Sequence, residues 1–137
     1  MGPPAPRRHS RFFVDSHLTD TGVTVITTRG DLDLDGTRQL RQPLISATSA
    51  QQPLVVLDLA GLEFLDSSGI SLLVHGVKRV RARGGALVLA AAPAKVARLF
   101  EVTGLTRVFE IFPTTEDANA QLSARAGLDS SECGARS

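Results

Sequence analysis

Asp66, Ser67, Ser68 and Gly69 stand between an apolar run and a helically spaced one. A carboxylate and two hydroxyls at such a place can do one of two things. They can cap backbone N–H groups left free at a helix start, or a hydroxyl can accept a phosphoryl group that the positive end of the helix dipole tolerates. Capping alone accounts for these four residues from local physics, and spacing by itself favours that ordinary reading. A second acidic group lies upstream in Gly30-Asp31-Leu32-Asp33-Leu34-Asp35-Gly36.

Enzyme templates find no footing. A Gly-x-Gly-x-x-Gly after a strand, a phosphate-cradling Gly-x-x-x-x-Gly-Lys-Ser/Thr and a His-Glu-x-x-His are all absent from the sequence. His9, His17 and His75 fall far apart, and His75 beside Gly76 reads as a surface or packing residue rather than a catalytic one. Cys133 is the only cysteine, which excludes an internal disulfide and a thiolate metal cage. The sequence predicts no enzyme, no metal and no cofactor. The basic run Lys78-Arg79-Val80-Arg81-Ala82-Arg83 reads as a solvated helix end complementing the dipole, in preference to a nucleic-acid patch.

Elements must position the junction. The run Leu54-Val55-Val56-Leu57-Asp58-Leu59-Ala60 predicts a strand buried on both faces, hence central and parallel. Ile70, Leu72, Leu73, Val74, Val77 and Val80 then recur at helical spacing, which predicts a helix over 67–83 closed by Gly84-Gly85. Upstream, β-branched and aromatic residues predict strands over 11–17 and 23–28, joined by Thr19-Asp20-Thr21-Gly22. Asp35 is the expected N-cap of a helix over 37–47 carrying Leu40, Leu44 and Ile45, with Pro43 as a defect inside it.

Downstream, the pattern gives a strand over 86–91, a helix after Pro93 ending at Gly104, a strand over 108–112, and a last helix capped by Thr114 or Thr115 and reaching about residue 124. Residues 1–10 are expected to be a flexible leader, 11–124 one domain and 125–137 a disordered tail. Strand and helix alternating from residue 54 require right-handed crossovers and a sheet covered by helices.

Composition bounds the partners. A chain of 137 residues, 42% apolar, suffices for a single core. Its formal charge of +1 supplies no global field to recruit nucleic acid or an anionic membrane, and the lack of Trp and Tyr removes the stacking platforms of single-strand binders. No apolar run approaches the roughly 20 residues of a membrane span. A cytoplasmic protein without direct nucleic-acid or membrane contact is expected.

The whole pattern resembles a known family, the STAS domain of bacterial anti-anti-sigma factors, also called anti-sigma factor antagonists. Leu57-Asp58-Leu59-Ala60-Gly61-Leu62-Glu63-Phe64-Leu65-Asp66-Ser67-Ser68-Gly69-Ile70 is similar to its signature, and Gly30-Asp31-Leu32-Asp33 is similar to its Gly-Glu-Leu-Asp, with Asp31 where Glu is usual. The segment Ala92-Pro93-Ala94-Lys95-Val96-Ala97-Arg98-Leu99-Phe100, with Gly104-Leu105 after it, resembles the third helix and its exit. Asp-Ser-Ser-Gly is the specific part, and the rest is mostly hydrophobic pattern. The likeness covers about residues 11–124 and implies an α/β STAS fold, a mixed sheet of about five strands with helices packed on it in a single domain.

By that resemblance Ser67 is the serine phosphorylated by a partner anti-sigma factor that is itself an ATP-dependent serine kinase. Asp33, Asp66 and Ser68 lie near it, Ser68 with a capping or secondary role. The implied partner-binding set is Asp31, Asp33, Ser67, Gly69, Ile70 and Leu73. Unphosphorylated, this face docks on the anti-sigma factor and releases the sigma factor; phosphorylation switches it off. Two alternatives stand beside this reading. One is a STAS module that does not switch, or that binds a nucleotide or another small ligand. The other, less favoured, is a phosphoacceptor receiver domain, with Asp58 as acceptor and Asp31 and Asp33 as metal-binding acids; no lysine follows the last strand, and Asp58 falls inside the apolar run.

Overall fold

The computed structural model describes residues 11–136, with side chains described through residue 126. The expected leader lies outside the described residues. Strands β1 (Phe12–Leu18) and β2 (Thr24–Leu32) form an antiparallel hairpin, and helix α1 (Leu34–Ala47) returns the chain to β3 (Leu54–Leu65). Helix α2 (Ser67–Ala82), β4 (Ala86–Ala90), α3 (Ala94–Val102), a single 3-10 turn at Leu105–Arg107, β5 (Glu110–Phe112) and α4 (Thr115–Arg136) complete it. The sheet order is β1-β2-β3-β4-β5, parallel except for the first pair. This is the single α/β domain with a mixed five-strand sheet that the sequence predicts.

Alternation along the strands divides the core in two. Val55, Leu57, Leu59, Leu87 and Leu89 join Leu40, Leu44, Leu73, Val77, Val96 and Phe100 from α1, α2 and α3 on one face. Val56, Val88 and Ala90 face the other way, onto Ala118 and Leu122 of α4. Burial on both faces is why β3 reads as an unbroken apolar run.

Several boundaries differ from those expected, and these matter most. β3 does not stop at Ala60 but runs to Leu65, because its pairing with β2 shifts register twice, between Thr27/Arg29 and between Gly30/Asp31. The extra β3 residues form bulges that bend the strand without ending it. β2 correspondingly runs through Gly30 and Asp31 to Leu32. The N-cap of α1 is Asp33, not Asp35: Gly36 N donates to Asp33 Oδ1 at 2.9 Å, while Asp35 sits in the first turn. Pro43 lies within α1, which continues past it to Ala47.

Helix α4 also continues to Arg136, beyond the expected limit near residue 124. Small polar residues were the ground for expecting a tail, yet Arg125, Ala126, Leu128, Glu132, Ala135 and Arg136 are good helix formers and no proline follows Pro113.

Candidate functional site

Two strand-to-helix junctions lie side by side at one end of the sheet. β2 ends at Leu32 and α1 begins behind Asp33; β3 ends at Leu65 and α2 begins behind Asp66. Leu32 and Leu65 are register partners, and Asp66 N donates to Leu32 O at 3.3 Å. Parallel pairing therefore brings two helix N-termini, each with its positive dipole end, to the same edge.

Asp66 organises the second junction. Its backbone is extended (φ −113°, ψ −173°), and its Oδ1 accepts from Ser68 N at 3.0 Å, Gly69 N at 3.2 Å and Ser68 Oγ at 2.6 Å. The two serines are thereby distinguished. Ser68 is half-buried, donates its hydroxyl to Asp66, and meets Thr37 Oγ1 of α1 at 3.4 Å. Ser67, the first residue of α2, is exposed.

Gly69 lets α2 approach so closely. A Cβ at this position would stand 2.8 Å from Leu32 Cγ, Leu32 O and Leu65 Cδ1. Gly69 is buried, so it shapes the site by its smallness and presents no side chain to a partner. Leu73, expected on the docking face, is fully buried at 0% exposure and belongs to the core between α2, α1 and the sheet. It shares the inward stripe of Gly69, Gly76 and Val80, at spacings of four, three and four residues. Ile70 is half-buried and stays at the surface margin; Asp31 and Asp33 are half-buried on either side of Leu32, the register partner of Leu65.

Two apolar residues at this end escaped the sequence reading. Leu34, next to the cap Asp33, is 57% exposed, and Phe64, two residues before Asp66, is 49% exposed. Phe64 is the register partner of Asp31 and borders a cleft of about 190 Å³ with Glu63, Leu65, Lys95, Val96 and Leu99. The signal available was Phe64 itself, a large aromatic between Glu63 and Leu65 in a strand whose Leu62 and Leu65 point inward.

Asp58 does not sit where receiver chemistry requires an acceptor. It is interior to β3, between Thr27 and Ala90, and its Oδ1 accepts from Ala60 N at 3.0 Å. Among the described residues, no group of three His, Cys, Asp or Glu side chains could hold a metal ion. In the basic run, Arg79 Nε donates to Thr48 Oγ1 at 3.0 Å, Arg79 Nη2 to Ser49 Oγ at 3.1 Å, and Arg81 Nη2 to Val108 O at 3.3 Å. These side chains tie α2 to the α1 exit and to the approach to β5, as a structural helix end does. No helix among the described residues is long and apolar enough to cross a membrane.

A sheet of one antiparallel and three parallel pairings, with Asp66 capping the helix at the β3–α2 junction, defines a small α/β domain. The chain belongs to the STAS domain family, whose model matches residues 17–118. It is 34% identical over 99 residues to the anti-sigma-F factor antagonist RsfA of Mycobacterium tuberculosis, covering 70% of this chain and 77% of that one. A crystal structure of an anti-sigma factor antagonist from Mycobacterium paratuberculosis superposes with a TM-score of 0.74 at 25% identity, covering 86% of this chain and 97% of that one. The Bacillus cell fate determinant SpoIIAA, in its phosphorylated form, shares the fold at a TM-score of 0.63 and 22% identity, over 80% of this chain and 98% of that one.

Proposed function

We propose that this chain is an anti-sigma factor antagonist, switched by phosphorylation of Ser67. Unphosphorylated, it binds in the cytoplasm to an anti-sigma factor that carries serine kinase activity, and the sigma factor is released. The observation that carries this reading is the division of labour between adjacent hydroxyls: Ser68 is held by Asp66 and Thr37, whereas Ser67 is exposed at the head of α2. The relatives named as anti-sigma factor antagonists supply the partner class.

The docking face consists of Ser67 and Ile70 on α2, Asp31 and Asp33 at the neighbouring junction, and the exposed Phe64 and Leu34 around them. Gly69 serves it by letting α2 seat against Leu32. A phosphate on Ser67 adds about 1.5 to 2 negative charges beside Asp66 and must keep its hydration. Helix-dipole attraction returns only about 0.3–1 kcal/mol, whereas enclosing the phosphate without a basic partner costs several kcal/mol, so the complex loses on the order of a hundredfold in affinity. The domain itself need not refold.

Incubation with the cognate anti-sigma kinase and ATP, followed by mapping of the modified residue, tests the assignment. Label on Ser67 is expected. Label on Ser68 or Asp58, or no label with an active kinase, contradicts it.

A further inference from the structure

The outermost strand of the sheet is β1, and among the described residues its edge is covered by no other element; Asp15 is its one acidic side chain. The strand runs for seven residues, pairs with β2 without a register shift, and contains neither lysine nor proline. The opposite edge differs: β5 has three residues, and its Glu110 is bridged to Arg125 of α4 at 3.3 Å. β1 also carries two of the most exposed large apolar side chains, Phe13 at 57% and Leu18 at 70%.

The hydrogen bonds at its two ends fix which backbone groups are free. Arg11 O accepts from Asp31 N at 3.1 Å, and Thr19 N donates to Val23 O at 2.8 Å. Odd-numbered residues thus bond inward to β2, and alternation turns the N–H and C=O of Phe12, Val14, Ser16 and Leu18 outward. A partner strand must pair with those.

We propose that β1 is the interface between two copies of this chain, joined antiparallel about a twofold axis at Ser16, so that the two sheets become one. Ser16 then faces Ser16 of the second copy as a hydrogen-bonded pair, and Val14 faces Leu18 in the next such pair on either side. Between them Asp15 faces His17 twice, in the non-hydrogen-bonded positions where side chains approach most closely. Other registers that satisfy the same outward bonds are worse. Centring on Asp15 opposes two aspartates, and centring on Val14 sets Asp15 against Phe13 and Arg11 against His17.

A second feature fits this register. On the α1 side a groove of about 540 Å³ borders β1, its lining including Ser16, His17 and Leu18 of β1 and Pro43, Ser46 and Ala47 of α1. Its small α1 residues leave room beside Leu18, opposite which the register places Val14 of the second copy. Ser67 lies two strands inward at the end of β3, so this inference does not depend on the switch proposed above.

Sedimentation of the full chain across a concentration series tests it. The chain is expected to be dimeric, and S16P, which removes an outward N–H and no bond to β2, is expected to be monomeric with an unchanged circular dichroism spectrum. H17D, which sets Asp against Asp twice, weakens self-association roughly tenfold, and the exchange D15H/H17D restores it. A full-length monomer at every concentration, a dimer indifferent to S16P, or no recovery in the double variant overturns the proposal. So does a full-length monomer that dimerises once residues 1–10 are removed, since the leader is then the occupant of the edge.

Discussion

The main-chain N–H of Asp66 donates to the carbonyl oxygen of Leu32 over 3.3 Å, joining the end of one parallel strand to the cap that starts the helix after its neighbour. That bond, with the Thr37–Ser68 hydroxyl contact at 3.4 Å, makes one site of two junctions thirty-odd residues apart in sequence. Ser67 and the Asp33 junction therefore stand at the same end of the sheet.

Asp66 caps α2 through one oxygen that receives three donors. Asp66→Ala is expected to lower stability by about 1–2 kcal/mol, and Asp66→Ser to retain part of it, as read from urea denaturation midpoints at constant m-value.

Gly69 and Leu73 act through packing. Gly69→Ala places a methyl against Leu32 and Leu65 and is expected to cost about 1–3 kcal/mol. Leu73→Ala opens a cavity in a fully buried position and is expected to cost about 2–5 kcal/mol. Thermal unfolding followed by circular dichroism checks both.

Phe64 and Leu34 are expected to behave in the opposite way. Their replacement by Ala should cost at most about 1 kcal/mol of stability, because about half of each side chain is already in water, while weakening the anti-sigma complex about tenfold or more. Isothermal titration of folded variants separates the two effects.

Ser68→Ala removes the hydroxyl that Asp66 holds but not the one proposed as the phosphate acceptor. Phosphorylation of Ser68→Ala on Ser67 should proceed at a rate within a few-fold of wild type, whereas Ser67→Ala should take no label; quantitative mass spectrometry of a time course reads both.

The order of elements was legible from residue 11 onward because buried parallel strands write themselves as apolar runs and helices as a 3.6-residue repeat. The Asp66 cap and the start of α2 were legible because Asp-Ser-Ser-Gly combines a cap, two hydroxyls and a small residue at one turn, whereas a role for Ser67 came only from the family resemblance. The cap of α1 was not: Asp33 and Asp35 are both acids ahead of a helix, and only the extended backbone of Asp33 and its bond to Gly36 N choose between them. Nor was the length of β3, since Gly61 and Glu63 look like a turn until two register shifts absorb them into the strand. Leu73 was assigned to the wrong face because three residues separate it from Ile70, a spacing that suits either side of a stripe whose edge only packing defines.

The central claim is that a charge on one exposed hydroxyl decides whether two proteins stay together. Its most direct test is the dissociation constant of the purified anti-sigma factor for this chain before and after stoichiometric phosphorylation of Ser67. A loss of about a hundredfold or more on phosphorylation, with the circular dichroism spectrum unchanged, is the predicted result. Equal affinity of the two forms contradicts it.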